Sequence, residues 1–235
     1  MASDLPSRQR DILEGLNQKS RTKVHVFNQT MEVFNQLKDV LNEMSNDLND
    51  LLENFNGNDR RVRLEYRDRG KFEAELKFAD DVLIFSMHSD IFQFDRDHPA
   101  WKSEFLKADS ANSYCGIINV YNFLSDSLKF NRQEDLGYLV ARIFVNKDKF
   151  FMVEGKRQPK RSVSSFGKKQ LTREELVSVV ETSVLYTLSF DLLVPPFDLV
   201  KMASVEQIND KIESAKLQTG KRLGFNYNSD DVLDD

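Results

Sequence analysis

The sequence is poor in cysteine, glycine and proline. Its 235 residues include one cysteine, Cys115, nine glycines and five prolines. A single cysteine excludes an intramolecular disulfide and a multi-cysteine zinc site, so we expect a reducing, cytoplasmic setting. The sequence contains no P-loop, no G-x-G-x-x-G and no G-x-S-x-G pattern. The glycine-based signatures of phosphate binding and of serine hydrolases are therefore missing.

Long apolar runs and an excess of positive charge are also lacking. The residues before Arg10 are polar, so no signal peptide is predicted. The most apolar stretch, 176–194, contains Glu181 and Asp191, and a carboxylate near the centre of a membrane span costs about 2.5–3.5 kcal/mol. We therefore expect no membrane partner. The net charge of −5 does not favour nucleic acid as a partner of the whole chain, although a local basic patch could bind it.

Aromatic and β-branched residues are abundant over 61–155. Apolar and charged residues alternate in 62–66 and 72–78, which predicts strands with one buried and one wet face. The later segments are nearly continuous apolar runs and predict strands covered on both faces: 82–85, 116–121 and 138–145. We therefore predict an α+β fold with a central antiparallel sheet of about five to seven strands.

A heptad pattern precedes the predicted sheet and indicates a long N-terminal helix over about 21–55. A break within 15–22 would create a separate short helix before it. We divide the chain into a helical segment, 1–56, and an α+β domain, 57–235. Two interpretations of the heptads stay open, namely homodimerisation and packing on the chain's own sheet. The candidate partner-binding residues are Phe27, Phe34, Leu41, Leu48 and Phe55.

Two further helices are predicted after the sheet. Thr172 with Glu175, and Ser204 with Gln207, have the spacing of a capping box. The first helix should extend to about residue 193, before a pair of prolines, and the second to about residue 218. We expect these C-terminal helices to cover the second face of the sheet.

Residues of metal-binding type are concentrated between two predicted strands. Imidazole and carboxylate groups are suitable ligands for a divalent metal, and a metal-dependent hydrolase or nuclease could use them. Their spacing fits no fixed motif such as H-E-x-x-H, and carboxylates in turns commonly bond the local backbone instead. The residues in question are His88, Asp90, Asp95, Asp97 and His98.

The loop at 156–170 is basic and contains no acidic residue. Such a cluster can contact the phosphates of a nucleic acid or of a phosphate ligand, and Phe166 could stack on a base. The other interpretation is a solvated loop balanced by the acidic remainder of the chain. The cations are Lys156, Arg157, Lys160, Arg161, Lys168 and Lys169.

Arg142 interrupts an otherwise apolar predicted strand. A covered guanidinium needs a carboxylate or a ligand as its partner. Glu154, on the next predicted strand, is the candidate for an internal ion pair. The alternative is a pocket in which Arg142 binds an anionic ligand.

No motif in the sequence names a reaction or a cofactor. The extended apolar stripe favours a non-enzymatic intracellular module that acts through protein–protein contacts, by self-association or in a larger assembly. Binding of nucleic acid or a phosphate ligand through 156–169 is the alternative, and a metal-dependent hydrolase or nuclease is the second alternative.

Overall fold

The structure is a computed structural model and describes residues 7–56, 63–132, 135–158 and 166–190. The long helix α1 is followed by a sheet and a shorter helix. In chain order the elements are α1 (Ser7–Asn56), β1 (Glu65–Asp68), β2 (Glu73–Phe78), β3 (Asp81–Met87), β4 (Phe92–Gln93), α2 (Glu104–Ala108), β5 (Tyr114–Leu124), α3 (Ser125–Lys129), β6 (Tyr138–Asn146), β7 (Phe151–Gly155) and α4 (Arg173–Leu188).

The helix α1 is continuous over its 50 residues, which corresponds to about 75 Å at 1.5 Å per residue. The alternative of a break within 15–22 does not occur. A single helical glycine such as Gly15 costs only about 1 kcal/mol relative to alanine. The hydroxyl of Thr22 donates to the Gln18 carbonyl at 3.0 Å, a bond within the helix that starts no new one.

The seven strands form one antiparallel sheet, which confirms the predicted fold class. The strand order is β1-β2-β3-β5-β6-β7, and the short β4 pairs with β5 beyond the end of β3. In this register Arg142 of β6 lies between Asn119 of β5 and Glu154 of β7. The three side chains therefore form a row across the sheet.

The first face of the sheet carries the main core, formed with α1 and α4. Phe34, Leu37 and Leu41 of α1 share this core with strand residues such as Phe85 and Ile118. Successive side chains of a strand point to opposite faces of the sheet, so each face needs its own cover. Both long helices contribute to the cover of this one face.

The position of α4 corrects one expectation. Its predicted N-cap is confirmed, because the Glu175 amide donates to the Thr172 hydroxyl at 3.4 Å. However, α4 packs beside α1 on the first face and does not cover the second. Val179 and Val180 are buried there because α1 alone is too narrow to cover the sheet. The predicted helix at 204–218 lies outside the described residues.

An irregular segment covers one end of the second face of the sheet. The irregular segment 94–113 folds into 3₁₀ turns at Pro99–Lys102 and Ser110–Ser113, with α2 between them. It contributes Leu106 and Ala100 to a smaller core. Within this segment, Trp101 Nε1 donates a hydrogen bond to the Phe94 carbonyl at 3.3 Å.

Beyond that end the second face combines buried residues, such as Val82 and Ile84, with a row of polar side chains that are half-buried or exposed: Asn119, Arg142 and Glu154. The cover predicted on both faces is confirmed for the run 82–85, whereas the row at Arg142 is covered only in part. No helix in the described ranges is both long enough and apolar enough to cross a membrane.

Candidate functional site

A cleft of about 190 Å³ opens on the second face of the sheet, where the cover ends. Its walls are aromatic and come from β4, the residue after it, and β6. The Phe94 and Phe144 rings lie 5.3 Å apart, and His98 stacks on Phe94 with ring centroids separated by 4.5 Å. Phe92 lies at the mouth and is partly exposed.

Among the described residues that line the cleft, Arg142 is the one Lys or Arg, and its pairing with Glu154 confirms the prediction. Its Nη1 lies 3.8 Å from Glu154 Oε2, which is an ion pair but too long for a hydrogen bond. Its Nε donates to Asn119 Oδ1 at 3.0 Å. Arg142 therefore has the predicted internal partner and also lines a cleft, while its binding of an anionic ligand stays a prediction.

The guanidinium of Arg142 keeps capacity for a ligand. Arginine has five N–H donors, and only the one on Nε makes a hydrogen bond within the described residues. The side chain is 35% exposed, so its terminal nitrogens can be reached from the cleft. Such a planar fork can bind a carboxylate through two parallel hydrogen bonds.

The rim of the cleft carries two carboxylates, those of Asp95 and Glu154. Both residues are exposed. His98 accepts a hydrogen bond at Nδ1 from the Ala100 amide at 3.1 Å, so its neutral form carries the proton on Nε2. The described lining therefore combines one arginine, two carboxylates, three phenylalanine rings and the His98 imidazole.

Cys115 also borders the cleft, but it is inert. Its side chain is buried, and desolvation raises the pKa of the thiol far above its ordinary value. Only the thiolate is an effective nucleophile or metal ligand. A role in covalent catalysis therefore has no support.

The five residues predicted as metal ligands do not form one group. His88 Nδ1 accepts from the Asp90 amide at 3.0 Å, and Asp95 accepts weakly from the Asp97 amide at 3.4 Å. These are the local turn contacts that the alternative interpretation predicts. In the part of the chain that the structure describes, no three His, Cys, Asp or Glu side chains are arranged to hold a metal ion.

The basic loop is attached to the body at both of its described ends. Gln158 is buried and donates to the Ser183 hydroxyl at 3.1 Å. Phe166 is only 2% exposed and lies edge-on to Phe94 and Phe105. Its predicted use as a stacking platform for a base is therefore wrong, because the second core buries the ring.

Two of the described cations of this loop contact side chains of α4: one makes an ion pair and the other lies over an aromatic ring. Lys169 pairs with Glu175 at 2.6 Å, and the Arg157 guanidinium lies 5.8 Å from the centre of the Tyr186 ring. Lys156 is half-buried and Lys168 is exposed. Lys160 and Arg161 lie outside the described residues, so the predicted phosphate site stays a prediction.

The heptad residues divide into a buried and an exposed group. Phe34 and Leu41 are 0% exposed within a single chain, so they pack in cis, as the second of the two interpretations holds. Phe27 is half-buried against the core, and the centroid of its ring lies 6.2 Å from that of Phe72. Leu48 is 36% exposed. The side chain of Phe55 is not among those described.

The first part of α1 is a projecting arm, which we define as residues 7–25. Val26 is the first buried residue of the helix. In the arm the large apolar side chains Ile12, Leu13 and Leu16 are 54–60% exposed. Leu13 and Leu16 lie two heptads before Phe27 and Thr30, so they are in phase with the buried stripe, although the heptad between them carries Lys19, Ser20 and Lys23. The arm therefore has a separate, uncovered apolar patch near its start.

Sequence reasoning named the charged residues of the cleft and missed its aromatic walls. Asp95 and His98 were proposed as metal ligands, and Arg142 with Glu154 as an ion pair, but no pattern joined the two sets. Phe92, Phe94 and Phe144 look like ordinary strand residues, and only the pairing of β4 and β6 with β5 brings them together.

Comparisons of this chain with protein-family models, curated proteins and solved structures give no match.

Proposed function

We propose that this protein is a non-enzymatic interaction module that self-associates through the arm. The observation that carries the proposal is the exposed apolar ridge of Ile12, Leu13 and Leu16 on a helix that leaves the body. Contiguous apolar surface of this kind is typical of contact sites. A helix whose apolar side faces water gains its stability from a partner that covers it.

The charge distribution of α1 indicates what that partner is. The arm contains five cations and two carboxylates, a net charge of +3. The remainder of the helix, 26–56, contains one lysine and six carboxylates, a net charge of −5. Two arms side by side would bring like charges together, which is unfavourable. An arm beside the acidic part of another α1 brings opposite charges together.

A second copy of this chain is therefore the proposed occupant. The arm and the acidic part belong to one continuous helix, so they cannot touch each other within a single molecule. Two copies with antiparallel α1 helices can exchange arms reciprocally, which is the isologous arrangement of most homodimers. Exposed Leu48 and Leu51 near the acidic end supply apolar contacts for the incoming arm.

The oligomeric state tests this proposal. By size-exclusion chromatography with light scattering, we expect a dimer at micromolar concentration that dissociates with rising salt. The double variant Leu13→Glu with Leu16→Glu should be monomeric. Leu185→Glu is the matched control, because Leu185 is 67% exposed on α4 and should leave the dimer intact. A monomeric wild-type protein would overturn the proposal.

Charge reversal tests the identity of the occupant. Lys19→Glu with Arg21→Glu should dissociate the dimer by removing the attraction between the arm and the acidic part of α1. Adding Asp47→Lys with Asp50→Lys in the same chain should restore it. If the four changes together give no recovery, the arm contacts a surface other than the acidic part of α1.

A further inference from the structure

We propose that the Arg142 cleft binds a free aromatic α-amino acid. The cleft lies on the second face of the sheet, whereas the arm extends from the helix on the first. The inference therefore does not depend on self-association. It rests on the size of the cleft, its aromatic walls and the arrangement of one cation and two anions.

The apolar part of the cleft fits one ring. A protein cavity of about 150 Å³ lined by apolar side chains holds a benzene molecule, and this cleft measures about 190 Å³. Phe92, Phe94 and Phe144 provide its walls. Aromatic pairs prefer edge-to-face or offset arrangements, and a single inserted ring can make such contacts with these walls. A fused or substituted ring system of drug size exceeds the available volume.

The carboxylate of the ligand is assigned to Arg142. Its terminal nitrogens have an ion-pair partner at 3.8 Å and no hydrogen-bond acceptor in the described part of the chain. The bond from Nε to Asn119 fixes the plane of the guanidinium. A ligand carboxylate can therefore form hydrogen bonds that Glu154 does not form in the free protein.

The ammonium group of the ligand is assigned to the acidic rim. Asp95 and Glu154 are exposed carboxylates that border the same cleft. A ligand with only a carboxylate would meet their repulsion, and a ligand with only a cation would meet Arg142. An α-amino acid carries both charges on adjacent groups, so it complements the cation and the anions at once.

A ligand series separates these contributions. We expect isothermal titration calorimetry with L-phenylalanine to show saturable binding of one molecule per chain. Removal of the ammonium (3-phenylpropionate), of the carboxylate (phenethylamine) or of the ring (L-alanine) should each weaken binding about tenfold or more. If phenethylamine or 3-phenylpropionate binds as tightly as L-phenylalanine, the assignment to a zwitterion is wrong. Absence of binding by all four compounds overturns the proposal.

Two arginine variants provide the structural control. Arg142→Gln should weaken L-phenylalanine binding about tenfold to hundredfold, the range for a lost charge-assisted hydrogen bond. Arg67→Gln should bind normally, because Arg67 is 66% exposed, pairs with Glu75 and does not line the cleft. Circular dichroism of both variants checks the fold. Equal affinities of the two folded variants contradict the role of Arg142.

Discussion

The two faces of the sheet differ in how they are covered, although the same strands make both. The first face is buried along its length by α1 and α4, and its core contains Phe34, Leu37 and Leu176 at 0% exposure. The second face is covered at one end by short helical turns. Burial of apolar area is the main source of folding free energy, so the first face should supply the stability. The second face is left free to form a cleft.

The largest expected effect comes from the first face. Phe34→Ala should lower the free energy of unfolding by about 3–5 kcal/mol, because a large buried side chain leaves a cavity. Leu16→Ala in the arm of the same helix should change it by less than about 0.5 kcal/mol at concentrations where the protein is monomeric. Urea unfolding of both variants measures this difference. Similar losses would mean that the two parts of α1 are equally packed.

A substitution in the core of the second face should lower the free energy of unfolding by less, and should loosen a smaller part of the chain. Leu106→Ala should cost about 2–3 kcal/mol, the lower part of the range for buried leucine. Hydrogen exchange should then accelerate in 94–113 before it does so in α1, because partly independent units open separately. Uniform acceleration throughout the chain would show that the two cores unfold as one.

The crossing of α1 over β5 gives a third test. A methyl group at Gly116 would overlap the side chain of Thr30, which is fully buried. Gly116→Ala should therefore cost about 1–3 kcal/mol through overpacking. Combining it with Thr30→Ala, which removes the hydroxyl and the methyl group of Thr30, should restore part of the loss. Additive losses in the double variant would contradict the close approach of helix and strand.

The smallest expected effect on stability comes from the ion pair of Lys38 with Asp68, and it depends on pH. Lys38 Nζ donates to Asp68 Oδ1 at 2.8 Å, and this hydrogen bond lowers the pKa of the Asp68 carboxyl. A lowered folded-state pKa adds stability above the unfolded value of about 4, and this stability is lost as pH falls through the folded pKa.

Asp68→Asn should therefore reduce the Tm slightly at about pH 6 and by less at about pH 2, because the carboxylate becomes protonated as the pH falls through its folded-state pKa. Thermal unfolding followed by circular dichroism at the two pH values measures the difference. A reduction of equal size at both values would assign the effect to packing and not to charge.

The comparison of the faces also explains which predictions from the sequence succeeded. Alternation in 72–78 and continuous apolar runs in 116–121 and 138–145 predicted the strands, because side-chain period is a local property. The capping box at Thr172 predicted the start of α4 for the same reason. The face on which α4 packs was predicted wrongly, since both faces looked equally apolar in the central strands.

Local patterns in the sequence determined that this chain makes a long helix, an antiparallel sheet and a capped helix after it. The tertiary structure decided where the apolar stripe of α1 is buried and where it projects, because the sheet is shorter than the helix. It also decided that Arg142, Glu154 and three phenylalanines share one cleft. The pairing of β4 and β6 with β5 brings together residues far apart in the chain, and side-chain period within one strand does not specify which strands become neighbours.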